Sequence, residues 1–303
     1  MRFKELLKKF LSPKVFGFFR DMVYPEKINI LEERMNGFFN TYYQDIASPQ
    51  LSQRTAFKNA EYKVFSKYGC DGLLLYIFSK IGVTNRTFVE IGIQDGRECN
   101  TANLSIHFGW KGLLIEGNKD WMEAAVRYYK KALGSMAGNV SIAHAMVTAE
   151  NINTVLTEKA MTGEIDLFSV DIDSNDYWVW KAVTVIKPKV VVIEYNASCG
   201  PTESLTMKYD PSFKYQKFYR ENPLYYGASV TALAKLGTEK GYVLVACDVH
   251  GGDAYFVRRD VAEGVFVALS PEEAFYPNSY RLKTIGDTET QYAQLKHLDF
   301  EKI

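Results

Sequence analysis

The sequence predicts an α/β fold in which a mostly parallel, seven-stranded sheet ends in an antiparallel hairpin and follows a helical N-terminal region. Two observations carry this prediction. Between residues 86 and 195, short apolar runs alternate with helical patterns, which is typical of a parallel sheet covered by helices. Further on, two strand patterns flank the turn "HGGD", which indicates a hairpin.

Residues 1–85 carry apolar side chains at helical intervals, and Gly69 and Gly72 predict a break within them. The first 24 residues are basic and amphipathic, as in "MRFKELLKKFLSPKVFGFFRD". Such a stretch fits a helix in peripheral contact with a membrane surface. It fits equally well a terminal helix that packs on its own domain, and the sequence leaves both interpretations open.

Five apolar runs predict the parallel strands of the sheet. They are "TFVEIG" (87–92), "GLLIEG" (112–117), "VSIAHA" (140–145), "DLFSVD" (166–171) and "KVVVIEY" (189–195). Helical patterns lie between them, the last being "DYWVWKAVTVI" (176–186). We therefore predict three parts of the chain: a helical region at 1–85, a central domain at 86–270 and a C-terminal extension at 271–303.

The bulk composition narrows the classes of function. The chain of 303 residues has 36 basic and 36 acidic side chains, so its formal net charge is zero, which argues against nucleic acid as a partner. Its four cysteines form no CxxC pair, which fits free thiols in a reducing cytosol. Neither a membrane-spanning run nor a signal-peptide pattern is present. The expected location is the cytoplasm, with residues 1–24 as the stretch that would attach the protein to a membrane.

The stretch "FVEIGIQDG" places Glu90, Gly92 and Gly96 directly after the first predicted strand. Glycine permits a tight turn and a close approach of a ligand to the backbone. The spacing E-x-G-x-x-x-G differs from the dinucleotide fingerprint G-x-G-x-x-G, and an acid here suits a cationic amino-acid group. Glu116 ends the next strand and is well placed to bind both hydroxyls of a ribose. The alternative is a turn that needs glycine for its geometry alone, with Glu90 capping a helix.

Polar side chains also end the fourth and fifth predicted strands: Asp171 and Asp173 in "SVDIDSND", and Glu194 and Asn196 in "VVVIEYN". Adjacent strand ends lie close together in a parallel sheet, so these side chains should converge. In one interpretation Asp173, Glu194 and Asn196 hold Mg²⁺ or Mn²⁺, which would bind a hydroxyl group of the substrate. In another, Asp173 is a general base without a metal. In a third, Asp173 and Asp176 cap the next helix.

His250, in the predicted hairpin turn, is a second candidate for a catalytic base. A histidine that serves the turn alone is the simpler interpretation of this position. The two interpretations differ in whether the imidazole reaches the acidic strand ends.

Together these motifs resemble those of class I S-adenosylmethionine-dependent methyltransferases, and within that class the FkbM-type family. The resemblance covers residues 86–260. "FVEIGIQDG" is similar to that family's first motif, "LLIEGN" to its ribose motif, and "DLFSVDIDS" and "PKVVVIEYN" to the ends of its fourth and fifth strands. Two positions depart from the family pattern: Asp173 stands where glutamate is usual, and Ser174 where glycine is usual.

The resemblance implies a Rossmann-like class I methyltransferase fold with S-adenosyl-L-methionine (SAM) as the cofactor. It implies that the loop after the first strand surrounds the methionine part of SAM and that Glu116 binds the ribose. Gly117 and Asn118 would then border the adenine, on which Ala145 and Met146 would pack. The residues implied in cofactor binding are Glu90, Gly92, Gln94, Asp95, Gly96, Glu116, Gly117, Asn118, Ala145, Met146 and Asp171.

Residues 197–226 form the longest irregular stretch of the chain. Its aromatic residues include Tyr209, Phe213, Tyr215, Tyr219, Tyr225 and Tyr226. Aromatic faces among polar side chains suit a sugar as the methyl acceptor, and the resemblance also implies hydroxyls of glycans or secondary metabolites. The same side chains would equally serve to pack the segment onto the domain or to contact a second copy of the chain in a homo-oligomer.

The predicted function is therefore O-methylation of a hydroxyl on a sugar or glycan. Two alternatives remain. One is a methyltransferase that acts on a small non-sugar metabolite or a lipid. The other is a nucleotide-binding protein without catalysis, whose helical N-terminal region docks a partner.

Overall fold

The computed structural model of the chain describes residues 51–212 and 222–303. The predicted membrane-contact stretch 1–24 and the aromatic residues Phe213, Tyr215 and Tyr219 lie outside the described residues. The strands are β1 (Thr87–Ile91), β2 (Lys111–Glu116), β3 (Val140–His144), β4 (Gly163–Val170), β5 (Ile186–Glu194), β6 (Leu205–Met207), β7 (Tyr242–Cys247), β8 (Asp253–Arg258) and β9 (Phe300–Lys302).

Seven of these strands form one sheet in the order β3-β2-β1-β4-β5-β8-β7. Strands β1 to β5 pair in parallel, whereas β8 pairs antiparallel with both β5 and β7. The predicted fold class is therefore confirmed, including the antiparallel C-terminal hairpin. The carboxyl ends of β1, β2, β4 and β5 lie at one edge of the sheet, and β8 begins at that same edge because it runs in the opposite direction.

Helices cover both faces of the sheet. They are α1 (Gln53–Ala60), α2 (Cys70–Ile81), α3 (Ala102–Phe108), α4 (Lys119–Leu133), α5 (Ile152–Glu158), α6 (Asp176–Ala182), α7 (Val230–Glu239), α8 (Arg259–Ala262), α9 (Pro271–Ala274), α10 (Ser279–Thr284) and α11 (Thr288–Leu295). The prediction that the helix after β4 continues to residue 186 is wrong, because α6 ends at Ala182. The β-branched run from Val183 to Ile186 favours extended backbone, and β5 begins at Ile186.

The strands alternate their side chains between two hydrophobic layers. Val89 and Ile91 of β1 pack into one layer, which also holds Trp180 of α6. Phe88 packs into the other, together with Leu74 of α2. When a sheet buries apolar side chains on both faces, the sequence of each strand is nearly continuously hydrophobic, as in the five runs of this chain.

Gly72 does not break the N-terminal helical pattern as predicted. Helix α2 begins at Cys70 with Gly69 as its N-cap, and Gly72 lies inside it. A Cβ atom on Gly72 would lie 2.0 Å from the carbonyl oxygen of Ala60, so the glycine lets the end of α1 pack directly against α2. The actual break is the irregular segment 61–69 between the two helices.

The predicted C-terminal extension folds back onto the central domain. Strand β9 pairs antiparallel with β6, which follows β5 in the chain. Leu295 of α11 is fully buried against Leu205 and Cys199. The domain boundaries themselves stay a prediction. In the described ranges, no helix has both the length and the apolar character needed to cross a bilayer.

Candidate active site

The edge where β1, β2, β4 and β5 end collects the acidic residues singled out in the sequence. Ile91 of β1 pairs with Val170 of β4, which pairs with Ile193 of β5. The next residues along β4 and β5 are Asp171 and Glu194, which therefore lie side by side. In an open α/β sheet, ligands bind outside the carboxyl ends of the strands, so this edge is the candidate active site.

Gly92 is required by the contact between two strand ends. Its φ angle is +87°, and a Cβ atom there would lie 1.6 Å from the carbonyl oxygen of Asp171. Gly96 has a φ angle of +77°, and a Cβ atom there would lie 2.8 Å from the ring of Tyr129 on α4. Packing against the protein itself thus accounts for both glycines, and their contact with a cofactor stays a prediction.

Glu90 holds the loop that leads into α3. Its Oε1 accepts a hydrogen bond from the backbone N–H of Asn100 at 2.8 Å. Its Oε2 accepts from the backbone N–H of Thr101 at 2.9 Å and from the Thr101 hydroxyl at 2.5 Å. Burial raises the pKa of Glu90 to about 6, while these bonds act to lower it. The capping alternative therefore describes what Glu90 does within the protein, and its contact with a cofactor stays a prediction.

Glu116 joins the loop after β1 to the loop after β2. Its Oε2 accepts from the backbone N–H of Gln94 at 2.7 Å, and its Oε1 accepts from the backbone N–H of Asn118 at 2.8 Å. Asn118 in turn caps α4, with its side-chain oxygen accepting from the backbone N–H groups of Asp120 and Trp121. The predicted ribose-binding acid thus stands in a preorganised rim formed by two loops.

The loop after β3 completes this rim. The backbone N–H of Ala145 donates to the carbonyl of Glu116 at 3.0 Å. Met146 is 58% exposed, and its sulfur lies 3.1 Å from where a Cβ atom on Gly117 would be. An exposed apolar side chain beside a glycine is consistent with the predicted adenine position. Asp95, on the opposite side of the rim, forms an ion pair with Arg97.

Three carboxylates converge where β4 and β5 end, and we call Asp171, Asp173 and Glu194 the acid cluster. One oxygen from each lies within 4.8 Å of the others. Oε2 of Glu194 is buried and has no hydrogen-bond partner among the described residues. Burial raises the pKa of all three side chains, and repulsion from Asp171 raises the pKa of Asp173 and Glu194 further.

Asn196 is engaged by hydrogen bonds within the protein, which argues against its prediction as a metal ligand. Its side-chain N–H groups donate to the carbonyls of Leu224 and Tyr226, at 2.8 and 2.9 Å. Its side-chain oxygen accepts from the backbone N–H of Ser198 at 3.1 Å. The chain turns directly after Glu194, so the amide points into the protein. Asp171, predicted for the cofactor, takes the third place in the cluster.

Asp173 has the backbone geometry and the environment of a functional side chain. Its φ angle is +54°, the left-handed region that non-glycine residues enter rarely. In the part of the chain that the structure describes, its carboxylate forms no hydrogen bond or ion pair. Burial and the charges of Asp171 and Asp176 raise its pKa to about 7. A carboxyl with such a pKa is matched to proton transfer near neutral pH.

The capping interpretation is wrong for both Asp173 and Asp176, because no side-chain hydrogen bond caps α6, whose N-cap position is Asn175. Asp176 is fully buried, and its two oxygens accept from the backbone N–H groups of Ile172 and Ser174, at 2.8 and 2.9 Å. It thereby shapes the turn that carries Asp173. Burial first and then Asp171 raise the pKa of Asp176 to about 7.

His250 lies at the same sheet edge and faces other partners. Its ring stacks on Tyr68 with centroids 4.9 Å apart, and its Nδ1 is 3.2 Å from the hydroxyl oxygen of Ser279. Within 51–212 and 222–303, no hydrogen bond joins its ring to the acid cluster. These contacts favour the turn interpretation, and the role of His250 as a catalytic base stays a prediction.

Sequence reasoning missed two cations near the acid cluster, Lys67 and Arg281. Partial burial lowers the pKa of Lys67, yet the charges of Asp171, Glu194 and Asp173 raise it above its usual value. Arg281 lowers the pKa of Asp173 and donates to the hydroxyl of Tyr226 at 2.6 Å. Neither residue lies in a recognisable motif, so the sequence carries no signal for them.

The chain shows only distant similarity to known proteins. No protein-family model and no curated protein matches the chain. A candidate caffeoyl-CoA O-methyltransferase from Staphylococcus aureus is 15% identical, with 73% of this chain and 99% of that one covered and a TM-score of 0.44. An O-methyltransferase from Bacillus cereus, solved with S-adenosylhomocysteine (SAH), is 16% identical over 71% and 93%, with a TM-score of 0.39.

A candidate sarcosine dimethylglycine methyltransferase from Galdieria sulphuraria is also 16% identical, with a TM-score of 0.40. Here the match covers 57% of this chain and spans 61% of the other protein's length. At such identities and TM-scores these similarities say nothing about substrate. It is the strand order that defines the fold, a Rossmann-like α/β sheet in which β8 runs antiparallel to β5 and β7.

Proposed function

We propose that the protein is a SAM-dependent O-methyltransferase. The observation that carries this proposal is the position of Asp173. Its carboxyl has no partner in the described part of the chain, has a pKa of about 7, and stands at the sheet edge where a ligand of this fold binds. Two strands away, the rim built around Glu116 offers the preorganised loops that a nucleoside cofactor requires.

In this proposal the rim around Glu116 would hold SAM, and Asp173 would face the hydroxyl of the methyl acceptor. SAM would supply an activated methyl group, whose transfer to the acceptor oxygen would leave SAH. The hydroxyl proton passes to Asp173. Most of the rate acceleration then comes from the alignment of the two reactants and from the transfer of this one proton.

The acid cluster also fits a divalent cation such as Mg²⁺ or Mn²⁺. Hard cations prefer carboxylate oxygens, and Oε2 of Glu194 is a buried acceptor without a donor in the described residues. Asp171, Asp173 and Glu194 would hold the ion. A bound cation would act as a Lewis acid that lowers the pKa of the acceptor hydroxyl.

For the acceptor we propose a hydroxyl of a sugar or glycan, as in the FkbM-type family that the motifs resemble. The described tyrosines of the irregular stretch are engaged with the protein: Tyr209 bonds to Glu150 and Tyr225 to the carbonyl of Asp299. The support for a sugar acceptor is therefore the resemblance, together with the polar character of the acid cluster. A small non-sugar metabolite or a lipid is the competing acceptor.

Two measurements test the proposal. Isothermal titration with SAH should show binding, and absence of binding would refute the cofactor assignment. Transfer of a radiolabelled methyl group from SAM to a panel of mono- and oligosaccharides should give a product whose label resists mild base, as expected of an ether. Label transfer to lipids or small metabolites alone would replace the sugar acceptor. SAH binding without transfer to any acceptor would favour a non-catalytic nucleotide-binding protein.

The contribution of a cation is tested separately. Activity that is lost in EDTA and restored by Mn²⁺ or Mg²⁺ would assign the cluster to metal-assisted transfer. Full activity in EDTA would assign Asp173 as a base that works without a metal.

A further inference from the structure

The segment between α1 and α2, residues 61–69, is held in one conformation by a buried aspartate. Oδ2 of Asp71 accepts hydrogen bonds from the backbone N–H groups of Val64, Phe65 and Ser66 at 2.7, 2.7 and 2.9 Å. It also accepts from the hydroxyl of Ser66 at 2.9 Å. Asp71 is 1% exposed, so these bonds are shielded from water. The segment is therefore a preorganised loop, although it belongs to neither helix.

This loop lies against the hairpin at the carboxyl edge of the sheet. The ring of Tyr68 stacks on His250 and lies 3.1 Å from where a Cβ atom on Gly252 would be. The thiol of Cys70 is 3.2 Å from the carboxylate of Asp253, which pairs with Glu194 across β5 and β8. Tyr68 and Cys70, which follow Lys67, are thus anchored at the hairpin whose strand β8 pairs with the strand that carries Glu194.

Lys67 is an exposed side chain on this rigid loop, and its charge acts on the whole acid cluster. Asp171, Glu194 and Asp173 all raise the pKa of Lys67, and Lys67 in return lowers the pKa of each of them. The side chain forms no ion pair within 4.0 Å in the described ranges. Its ammonium group lies 5.6 Å from the centroid of the Tyr68 ring, which stacks on His250 at the hairpin. From this position it acts on all three carboxylates without an ion pair to any single one in the described residues.

We propose that Lys67 is the resident counter-ion of the acid cluster and competes there with a divalent cation. The two positive charges would share the same three carboxylates, so each weakens the binding of the other. The chain would in this way carry its own cation in place of a metal. The proposal concerns the site of the proposed function, but it rests on charge and position and requires no methyl transfer.

The test is Mn²⁺ binding to the full chain, followed by electron paramagnetic resonance and isothermal titration without cofactor or acceptor. The variants are Lys67→Met, which removes the charge, and Lys67→Arg, which keeps it. Lys111→Met is the matched control, because Lys111 is an exposed lysine at the amino end of β2, on the opposite edge of the sheet.

We expect Lys67→Met to bind Mn²⁺ about tenfold more tightly than the wild type, or more, since coupling between neighbouring charges is of this size. Lys67→Arg and Lys111→Met should stay within about twofold of the wild type. Equal affinity of Lys67→Met and the wild type would overturn the proposal. So would the absence of Mn²⁺ binding in all four proteins, because a cluster freed of its counter-ion must attract a cation.

A double variant establishes where the ion binds. In Lys67→Met/Asp173→Asn the gained affinity should disappear, because one of the three carboxylates is gone. A gain that persists would place the ion elsewhere and overturn the proposal. A chain that fails to methylate any acceptor would leave the Mn²⁺ titrations unaffected, so failure of the proposed function and failure of this inference are distinguishable.

Discussion

Two groups of acidic side chains stand at the same edge of one sheet, and the protein treats them in opposite ways. Glu90 and Glu116, on β1 and β2, receive backbone N–H groups on both of their oxygens. Asp171, Asp173 and Glu194, after β4 and on β5, face one another instead, and Oε2 of Glu194 has no donor in the described part. The first group holds loops in place, whereas the carboxylates of the second group repel one another.

This difference indicates where chemistry takes place. A buried carboxylate that accepts hydrogen bonds from backbone amides is fixed in position and lowers the stability of the fold little. A crowded carboxylate is costly, and such a cost is common at functional sites. We therefore expect substitutions in the first group to lower stability or cofactor binding, and substitutions in the second group to lower activity while stability is kept or increased. The predictions below run from the largest expected effect to the smallest.

Asp173→Asn should lower kcat by about 10²–10⁴-fold, because it removes the carboxylate that takes the proton from the hydroxyl of the methyl acceptor. SAH affinity, measured by titration, should remain within about threefold, since the cofactor rim lies on other strands. Asp120→Asn, an exposed acid in the first turn of α4, is the control for loss of a carboxylate. If Asp173→Asn kept wild-type activity, Asp173 would have no part in the mechanism, and the proposed difference between the two groups of acids would be wrong.

Glu90→Ala should lower the free energy of unfolding by about 2–4 kcal/mol, because two buried N–H groups and a hydroxyl lose their acceptor. Urea unfolding monitored by circular dichroism measures this change. A loss below about 0.5 kcal/mol would mean that Glu90 is not structural, and the distinction between the two acid groups would then fail.

Glu116→Ala should weaken SAH binding by about 10–100-fold, the range expected for hydrogen bonds to a charged group. Part of the loss comes from the backbone N–H of Gln94 and Asn118, which Glu116 positions. Glu123→Ala is the control, because Glu123 is exposed on α4 and forms only a solvent-exposed ion pair with Arg127, at 3.9 Å, in the described residues. Equal SAH affinity of both variants would show that the rim does not bind the nucleoside.

Glu194→Gln should give the smallest effect, a stabilisation of about 1 kcal/mol at pH 8. The pKa of Glu194 is raised in the folded state by burial and by Asp171 and Asp173, so the folded protein binds a proton that the unfolded chain releases at lower pH. The stabilising effect of that proton is complete below the unfolded pKa and is lost as pH rises through the folded one. The advantage of Glu194→Gln should therefore be absent near pH 4 and grow toward pH 8, as followed by thermal unfolding. A difference in stability between variant and wild type that stays constant across this pH range would contradict the raised pKa of Glu194.

Much of this site could be predicted from strand ends alone. The positions of Glu90, Glu116, Asp171 and Glu194 follow from short apolar runs that stop at an acid, since parallel strands end at the same edge. Asn196 could not be placed in this way. It lies two residues beyond Glu194, where the chain has already turned and the local pattern no longer determines which way a side chain points.

Lys67 and His250 show a second limit of prediction. Lys67 lies more than a hundred residues before the carboxylates on which it acts, in a segment whose pattern indicates no more than a break between helices. His250 follows a strand that ends at this edge, yet its ring packs on Tyr68 of that same distant segment. Contacts between such distant parts of the chain leave no periodic trace in the sequence.

The sequence by itself determined the sheet, its parallel order with a final hairpin, and the gathering of acids at one edge. These follow from the alternation of apolar runs and helices, which is a local property of the chain. The tertiary structure decided which of these carboxylates receive hydrogen bonds from backbone amides and which lie against other carboxylates. Amides from the loops after β1 and β2 neutralise Glu90 and Glu116, whereas Asp171, Asp173 and Glu194 have one another and the distant Lys67. The reason is that the energy of a carboxylate depends on the donors and charges around it, and segments far apart in sequence supply them.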